Sequence, residues 1–256
     1  MKGKQNAIAI IPARYASTRL PGKPLLDICG RPLIEHTYRN TERARKVSEV
    51  LVATDDERIF EAVRTFGGRA VMTSAHHRSG TDRISEVAAR LDYERVVNVQ
   101  SDEPLLDPET IDGVLEVLEG DEAILMSTAA ERINSWEDMG DPNIVKVVLD
   151  RSGCACYFSR APIPFIRSES EFEQHRPLRH IGLYAYRRDF LIRFSRMAPG
   201  LLEQIEGLEQ LRALENGWDI AVVETPPGAI GVDTWEDLAQ VRRRIAAQEH
   251  LAGRTP

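Results

Sequence analysis

A short apolar run near the start of the chain breaks abruptly into a loop rich in cations. Residues 8–11 are apolar, and the residues that follow them are rich in proline, glycine, arginine and lysine. Such a run is typical of a buried strand in a parallel sheet, and the composition after it predicts a loop. Ligands of α/β sheets bind outside the carboxyl ends of the strands. We therefore expect a substrate to bind at this loop.

The cations of this loop suit an anionic ligand. Arg14, Arg19 and Lys23 supply guanidinium and ammonium groups, which are common polyphosphate receptors. Neither a Walker A sequence nor a G-x-G-x-x-G fingerprint occurs. A solvated basic loop is the alternative interpretation. It is disfavoured because cations placed directly after a buried strand are costly unless they meet anions.

The composition excludes some classes of protein. The chain has 256 residues, of which 42% are hydrophobic and 29% are charged, and its net charge is -7. These values are ordinary for a globular enzyme, and the acidic excess argues against general nucleic-acid binding. No apolar run approaches the roughly 20 residues that span a bilayer, and no signal-type apolar region follows the first charges. We expect a cytoplasmic protein without a membrane or nucleic-acid partner.

Strands and helices alternate along the chain. Apolar runs at 50–54, 70–72 and 96–100 predict strands, and amphipathic segments between them predict helices. This alternation predicts a right-handed, mostly parallel sheet with helices on both faces. Later segments predict strands at 123–128, 144–150, 179–186 and 220–224, a helix at 206–215 and a mobile loop at 166–179.

Several motifs, in order along the chain, resemble one enzyme family. They are IPARYASTRLPGKPL at 11–25, SGTDR at 79–83, NVQSDEP at 98–104, YFSRAPIP at 157–164, RHIGLYAY at 179–186 and LEQLRALENG at 208–217. Together they resemble the sugar nucleotidyltransferases that activate acidic sugars with CTP, most closely the 3-deoxy-manno-octulosonate (Kdo) cytidylyltransferases. The resemblance implies an α/β fold with a mostly parallel, doubly wound (Rossmann-like) nucleotidyltransferase sheet and a small dimerisation excursion.

The resemblance also implies a nucleotide-binding set. Arg14 and Lys23 would bind the triphosphate and neutralise developing charge, and SGTDR would meet the cytidine and its ribose. The implied residues are Pro12, Ala13, Arg14, Lys23, Ser79, Gly80, Thr81 and Arg83. From the residues alone, Ser79 or Thr81 would simply cap the following helix. The adjacent histidines His76 and His77 are expected to be solvated.

A pair of acidic residues follows the predicted strand 96–100. Carboxylates beside a polyphosphate site suit Mg²⁺, although most acidic pairs in loops are merely solvated. The resemblance implies that Asp102 and Asp233 are the Mg²⁺ ligands, and that they form the catalytic set with Arg14 and Lys23. Asp233 also stands where the last helix begins, and helix capping alone explains most such sequences.

A sugar-binding set comes from the resemblance alone. It comprises Gln100, Arg160, His180, Tyr184, Glu209 and Gln210. Without the resemblance, His180 and Tyr184 indicate ordinary half-buried packing on one strand face. Lys146 fits the surface of an edge strand. The family has glycine where this chain has Ser101, and a serine there would be strained by about 1 kcal/mol or more if its φ were positive.

The implied reaction joins Kdo to CMP from CTP and releases pyrophosphate, for lipopolysaccharide biosynthesis. We expect a single nucleotidyltransferase domain over residues 1–256, with a sugar-binding and dimerisation subregion at about 131–187, and a homodimer. Ser101 leaves open another acidic sugar, such as 8-amino-Kdo or a nonulosonate. The alternative from another class is a non-catalytic regulator that binds nucleotide or sugar, against which the intact set of Arg14, Lys23, Asp102 and Asp233 argues.

Overall fold

The computed structural model describes residues 6–16 and 20–252. Arg19, one of the cations predicted for the substrate loop, lies outside the described residues. The chain divides into two compact units: the first comprises Met1–Asp112 and Gly228–Pro256, and the second comprises Gly113–Pro227. The sequence prediction of one domain with a subregion at about 131–187 stays a prediction.

The first unit alternates strands with helices. Its elements are β1 (Ala7–Ala13), a 3₁₀ helix (Lys23–Leu25), β2 (Asp27–Ile28), β3 (Arg31–Pro32), α1 (Leu33–Thr41), β4 (Glu49–Thr54), α2 (Glu57–Thr65), β5 (Ala70–Met72), α3 (Gly80–Ala88), β6 (Arg95–Val99) and α10 (Trp235–Ala252). Helix α4 (Pro108–Gly120) begins in the first unit and ends in the second. The described helices include none with the combined length and apolar character that a membrane crossing requires.

Strand β1 lies at the centre of the parallel sheet of this unit. The strand order is β6-β1-β4-β5, and all three pairings are parallel. Every residue of β1 is buried, as expected for a strand flanked on both sides. The chain first builds outward on one side of β1 and then returns to add β6 on the other side. This reversal is a topological switch point, where α/β sheets bind ligands. The predicted mostly parallel α/β fold is confirmed.

The C-terminal segment completes the core of the first unit. One buried apolar cluster joins residues from both ends of the chain: Leu20, Ile28, Leu33, Val232, Leu238, Val241 and Ile245. Full burial of such a side chain contributes about 1.5–3 kcal/mol. Arg242 of α10 also donates hydrogen bonds to the carbonyl oxygen of Asp27 in β2. The start of α10 is therefore held beside the substrate loop that follows β1.

The second unit has a mixed sheet. Its elements are β7 (Met126–Arg132), α5 (Trp136–Gly140), β8 (Lys146–Leu149), β9 (Ala155–Ser159), α6 (Glu169–Gln174), β10 (Leu178–Arg187), α7 (Arg188–Phe194), α8 (Leu201–Glu206), α9 (Leu211–Glu215) and β11 (Ile220–Glu224). Strand β7 pairs in parallel with β11 and antiparallel with β10, and β8 lies antiparallel to both β10 and β9.

A two-residue irregularity interrupts the pairing of β10 with β7. Ile181 pairs with Ala129, but the next pair joins Tyr184 to Thr128, so Gly182 and Leu183 intervene without register partners. Side chains alternate between faces with a period of two residues. An insertion of two residues therefore keeps His180 and Tyr184 on one face, as the sequence predicts, and Tyr186 shares that face. The rings of successive members lie 5.3 and 6.0 Å apart.

Two sequence predictions for the second unit are wrong in detail. The helix expected over 206–215 is shorter, because α8 ends at Glu206, Gly207 has a φ of 64° in the left-handed region, and α9 begins only at Leu211. Glu209 and Gln210 lie in the turn before α9. The loop expected over 166–179 contains α6, whose first turn is capped by Ser168, the side chain of which accepts from the Glu171 amide. A polar composition concealed this short helix.

Lys146 is buried, contrary to its prediction as a surface residue. It lies on β8, which pairs on both sides and is therefore not an edge strand. Its ammonium donates to the carbonyl oxygens of Asp141, Ile144 and Arg160 at 2.7–2.9 Å. Burial lowers the pKa of Lys146, with Asp141 acting in the opposite direction. The residue ties three backbone positions together.

We expect Lys146→Met to lower the free energy of unfolding by about 2 kcal/mol or more, because buried carbonyl oxygens lose their donor. Methionine preserves much of the volume, so the loss reports hydrogen bonding rather than a cavity. Urea denaturation measures the change, with the exposed Arg151→Met as the charge-matched control. An unfolding free energy equal to that of the control would contradict the structural role.

Candidate functional site

A pocket opens at the switch point of the first unit. Its volume is about 450 Å³, and it is lined by Pro12, Arg14, Ala16, Lys23, Pro24, Arg78, Ser79, Gly80, Gln100, Ser101 and Asp233. Pro12 belongs to the end of β1 and Gln100 follows the end of β6. The pocket therefore lies at the carboxyl ends of the two strands between which the chain reverses direction.

Arg14 is the first residue after β1, and its side chain is held by a single loop. Its Nη2 donates to the carbonyl oxygens of His77 (2.6 Å) and Ser79 (3.1 Å), and its Nη1 donates to that of Arg78 (3.4 Å). Three consecutive carbonyl groups thus fix the guanidinium at the mouth of the pocket. A guanidinium fixed in this way presents a preformed positive charge to an anionic ligand.

Lys23 bridges two carboxylates from distant parts of the sequence. Its Nζ lies 2.6 Å from Oδ2 of Asp102 and 3.0 Å from Oδ1 of Asp233. Burial lowers the pKa of Lys23, but the charges and hydrogen bonds of Asp102 and Asp233 outweigh burial and raise the pKa above its ordinary value. Lys23 is therefore cationic throughout the neutral range.

The start of α10 places Asp233 in the lining of the pocket. The Thr234 hydroxyl accepts from the Asp237 amide at 3.1 Å, and the Asp237 carboxylate accepts from the amides of Thr234 and Asp233. This reciprocal cap satisfies the helix end without using the Asp233 side chain. A hydrogen bond from the Val232 amide to the Asp102 carbonyl oxygen, at 2.9 Å, keeps the two acidic residues adjacent.

The two carboxylates fit a divalent cation of the Mg²⁺ type. Oxygen atoms of Asp102 and Asp233 already converge on one cation, the Lys23 ammonium. Mg²⁺ is commonly held by one or two carboxylates together with water and substrate phosphates. Within residues 6–16 and 20–252, no cluster of three or more His, Cys, Asp or Glu could form an all-protein metal site. The donor set therefore suits a cation that a ligand helps to bind.

An aromatic ring braces the substrate loop between Arg14 and Lys23. The Gly22 amide donates to the Tyr15 carbonyl oxygen at 3.2 Å, and the Arg58 guanidinium lies 3.3 Å from the centre of the Tyr15 ring. Gly22 has a φ of +67°, and a Cβ there would lie 3.1 Å from the same ring. The left-handed backbone therefore favours glycine at this position, and a larger residue would also press against the Tyr15 ring.

The structure brings together most, but not all, of the predicted nucleotide-binding residues. Pro12, Arg14, Lys23, Ser79 and Gly80 line the pocket. Ser79 also caps α3, because its hydroxyl accepts from the Asp82 amide, so the capping interpretation is confirmed, whereas contact with a nucleotide stays a prediction. A Cβ on Gly80 would approach Pro12 Cγ to 3.2 Å, which explains the close packing of α3 against the pocket wall.

Ala13, Thr81 and Arg83 do not line this pocket. All three are buried, and Arg83 has no exposed surface. Its guanidinium pairs with Asp55 at 3.2 Å and donates to Thr73 Oγ1. Arg83 thereby joins α3 to the ends of β4 and β5, and this arrangement supports the pocket from behind. Contact of Ala13, Thr81 and Arg83 with a nucleotide stays a prediction.

Ser101 is not strained. The non-glycine residues described with a positive φ comprise Cys29 alone, so the conditional strain at Ser101 does not arise. Its carbonyl oxygen accepts from Thr37 Oγ1 at 3.1 Å, which ties the strand end to α1. Ser101 and Gln100 both line the pocket. The serine therefore adds a hydroxyl-bearing side chain to the wall without distorting the backbone.

The other predicted sugar-binding residues lie in the second unit. Arg160 uses its guanidinium on the carbonyl oxygens of Glu206 (2.8 Å), Pro142 (2.8 Å) and Gly207 (3.5 Å). Gln210 is 4% exposed, and its Nε2 has no hydrogen-bond partner among the described residues. A buried amide donor without a partner is costly, so Gln210 is suited to a ligand that accepts a hydrogen bond.

His180 and Tyr184 lie together among aromatic rings. The His180 ring is 5.2 Å from Phe158 and 5.3 Å from Tyr184, and its Nε2 is 2.8 Å from Thr128 Oγ1. Burial lowers the pKa of His180 to about 3. Burial also raises the pKa of Tyr184, with a smaller contribution from Glu209. Both side chains are therefore neutral near pH 7 and offer hydrogen bonds rather than charge.

Sequence reasoning missed two features of this site. Arg78 lines the pocket as a third cation, a role that its position directly before SGTDR signals in hindsight. His77 is not solvated, because its Nε2 lies 2.5 Å from the Glu86 carboxylate, whereas His76 is exposed as predicted. His77 precedes α3 and Glu86 lies within it, and no local sequence pattern predicts a contact between them.

Comparisons with known proteins are consistent with this geometry. A cytidylyltransferase family model matches residues 8–220. The 3-deoxy-manno-octulosonate cytidylyltransferase of Geobacter metallireducens is 55% identical over 246 residues, 93% of this chain and 97% of that protein. The protein of the same name from Syntrophus aciditrophicus is 50% identical over 241 residues, 93% and 96% of the two chains.

Solved structures agree with the sequence relatives. A CMP:2-keto-3-deoxy-manno-octonic acid synthetase complexed with CTP has a TM-score of 0.89 and 43% identity, covering 94% of this chain and 99% of its own. A 4-diphosphocytidyl-2C-methyl-D-erythritol synthase from Anaerococcus prevotii has a TM-score of 0.62 at 14% identity, covering 95% and 100%. The second likeness shows the fold alone.

We expect His180 to stay neutral at pH 5, where a free imidazole is largely protonated. Because its folded pKa (about 3) lies below the ordinary value of 6.5, the unfolded chain binds more protons between these values. The stability contribution is thus present above pH 6.5 and is lost as the pH falls toward 3. Nitrogen chemical shifts of the imidazole measure its protonation directly.

The same linkage makes the free energy of unfolding fall by up to about 2 kcal/mol more in the wild type than in His180→Gln between pH 7 and pH 5. Urea denaturation at both pH values measures this difference. An equal change in the free energy of unfolding between the two pH values in both proteins, or an imidazole that titrates near pH 6, would show that the ring is solvated.

Proposed function

The chain belongs to the family of 3-deoxy-manno-octulosonate cytidylyltransferases, and we propose that it transfers CMP from CTP to Kdo with release of pyrophosphate. It is a nucleotidyltransferase, and its product CMP-Kdo serves lipopolysaccharide biosynthesis. One observation carries the assignment of residues: Arg14, Lys23, Asp102 and Asp233 converge at the switch-point pocket.

The triphosphate binds against the cationic wall of this pocket. Arg14, held by three carbonyl groups, and Arg78 face a ligand that carries several negative charges. Pro12, Ser79 and Gly80 form the adjoining wall, where the nucleoside rests. Preformed cations cost no reorganisation when charge develops on the leaving pyrophosphate. This arrangement favours the transition state over the ground state.

Lys23 exchanges partners during the reaction. Its ammonium contacts the carboxylates of Asp102 and Asp233. When CTP enters, phosphate oxygens compete for Lys23, and the two carboxylates become available to another cation. Lys23 then stabilises the charge on the phosphates, which is the role that the family resemblance implies.

Asp102 and Asp233 would hold Mg²⁺ together with oxygen atoms of the triphosphate. When bound, this cation would polarise the phosphates and help a sugar hydroxyl to ionise. The residues of the chain orient the α-phosphorus for in-line attack by that hydroxyl. Positioning and charge neutralisation supply most of the acceleration in phosphoryl-transfer chemistry.

The sugar is recognised by neutral and polar side chains. His180 and Tyr184 offer uncharged hydrogen-bonding groups, and the partnerless Nε2 of Gln210 suits a sugar hydroxyl oxygen. Glu209 stands beside Gln210 in the turn before α9 and accepts weakly from Arg212 at 3.5 Å. Gln100 is the remaining candidate. Arg160, whose donors meet backbone carbonyl groups, supports this turn and would bind the sugar acid only by exchanging those partners.

A homodimer in the cytoplasm is part of the proposal. Leu201 and Ile205 are separated by one turn of α8 and are 68% and 70% exposed, and Phe165 is 86% exposed. Large apolar side chains on one helix face favour association with a second surface. Light scattering of the purified protein measures the molar mass, and a monomer at micromolar concentration would remove the dimer from the proposal.

We expect Asp102→Asn to reduce turnover with CTP, Kdo and Mg²⁺ by about a thousandfold or more, since charged groups that act on the transition state contribute on this scale. Pyrophosphate release measures turnover. The variant should keep its fold, because the Asp102 side chain is partly exposed and lies in a turn.

The matched control for this substitution is Asp189→Asn, which makes the same chemical change at a side chain that is 93% exposed. The control should retain native turnover. Near-native turnover of Asp102→Asn, with circular dichroism unchanged, would remove Asp102 from the catalytic set. Binding of CTP without pyrophosphate release by the wild type would instead favour the regulatory alternative.

We expect Ser101→Gly to leave the preferred sugar unchanged, because Ser101 has ordinary backbone geometry and causes no strain. The wild type and the variant are assayed for pyrophosphate release with Kdo, 8-amino-Kdo and N-acetylneuraminate. A wild type that uses only 8-amino-Kdo, together with a variant that gains Kdo, would make the Ser101 hydroxyl a determinant of sugar choice and move the assignment to that sugar.

A further inference from the structure

The cation that faces the triphosphate is oriented by a loop rather than by a carboxylate. Among the described residues, the Arg14 guanidinium donates to the carbonyl oxygens of His77, Arg78 and Ser79. Carbonyl groups direct a guanidinium only if their own backbone is held in place. The position of Arg14 therefore depends on whatever fixes residues 77–79.

One end of this loop is fixed by the start of α3. The Ser79 hydroxyl accepts from the Asp82 amide at 3.1 Å, and the Arg78 amide donates to Asp82 Oδ2 at 3.3 Å. These contacts hold residues 78 and 79 to the first turn of the helix. They leave the preceding residues, including the carbonyl group of His77, to be held by other means.

The other end of the loop is fixed by Glu86. Its Oε2 accepts from the Ser74 amide at 3.0 Å and lies 2.5 Å from His77 Nε2, while its Oε1 accepts from Arg90 at 2.7 Å. The His77 and Glu86 side chains are each 20% exposed. The carboxylate thus reaches back from α3 and holds both the backbone and a side chain of residues 74–77.

We propose that Glu86 and His77 are positioning residues for Arg14, which hold residues 74–79 so that three carbonyl groups aim the Arg14 guanidinium at the triphosphate. The inference rests on the proposed function, because it assigns the purpose of this loop to CTP binding. Glu86 itself lies outside the residues that line the pocket and acts through the loop.

The charge state of Glu86 agrees with this role. The hydrogen bond from His77 lowers the pKa of Glu86, together with the contact from the Ser74 amide, so the carboxylate is ionised in neutral solution. If Glu86 acted only through its charge, its removal would change the affinity for CTP in the opposite direction from a loss of positioning. Removing a negative charge near an anion-binding pocket should tighten CTP binding, whereas releasing the loop should weaken it.

The test measures the dissociation constant of CTP by calorimetry, and KM and kcat by pyrophosphate release, with full-length protein. We expect Glu86→Ala and His77→Ala each to raise the CTP dissociation constant about tenfold, which is within the range of interaction energies between residues in contact. Each substitution should also raise KM for CTP more than it lowers kcat. Glu86→Gln keeps an acceptor for Ser74 and a partner for His77, so it should restore binding to within about threefold of the wild type.

A double-mutant cycle identifies the route of the effect. If Glu86 acts through Arg14, then adding Glu86→Ala to Arg14→Ala should change the dissociation constant by less than about twofold. Hydrogen exchange should accelerate in the peptide that covers residues 74–79 in Glu86→Ala. The control is Glu61→Ala, which removes the same charge from an exposed position on α2 and should bind CTP like the wild type.

Several results would overturn the inference. They are CTP binding by Glu86→Ala that equals or exceeds the wild type, an equal loss of binding with and without Arg14, or no rescue by Glu86→Gln. If Glu86→Ala fails to fold, His77→Ala carries the same expectations. A wild type that does not bind CTP overturns the proposed function and this inference with it, whereas wild-type binding with unaffected variants overturns the inference alone.

Discussion

The ionic contact of Lys23 with Asp102 and Asp233 is the interaction on which the geometry of the pocket in the first unit depends. Two carboxylates at one point repel each other, and a partly buried ammonium would be unfavourable alone, so each charge makes the other two acceptable. The three residues lie far apart in sequence. The parallel pairing of β1 with β6 brings the first two segments together, and the apolar packing of α10 brings the third. The strand pairing and the helix packing that form the fold therefore also bring these three charged side chains together.

Local hydrogen bonds are arranged so that the functional atoms remain available. The cap on α10 uses Thr234 and Asp237, while the Asp233 carboxylate contacts Lys23 at the pocket. Ser79 caps α3 with its hydroxyl and holds Arg14 with its carbonyl oxygen. In each case the helix end is satisfied by a neighbour of the functional group. Capping and function are thus served by different atoms within one short segment, and need not be treated as competing explanations.

Features that arise from interactions within a short stretch of sequence could be predicted, whereas features that depend on contacts between distant stretches could not. Strands β4, β5 and β6 follow from apolar runs bounded by turn residues, and Ser79 follows from a short capping pattern. The break at Gly207 could not be predicted, because the surrounding residues are good helix formers. The proximity of Asp233 to Asp102 depends on packing between the two ends of the chain, which periodicity does not report. The family resemblance supplied that pairing, but it did not supply the His77–Glu86 contact or the burial of Arg83.

The first unit is discontinuous in sequence, and this has a consequence for the order of events during synthesis. A ribosome releases the chain from its N-terminus, and domains commonly begin to fold as they emerge. The strands that form the pocket emerge early, yet Asp233 and the apolar residues of α10 emerge only after the entire second unit. Until then Lys23 has one of its two carboxylates and Leu20, Ile28 and Leu33 lack half of their core. A nascent chain can thus hold a sheet before Asp233 can join Lys23 and Asp102, and this ionic contact is complete only once the last helix has been made.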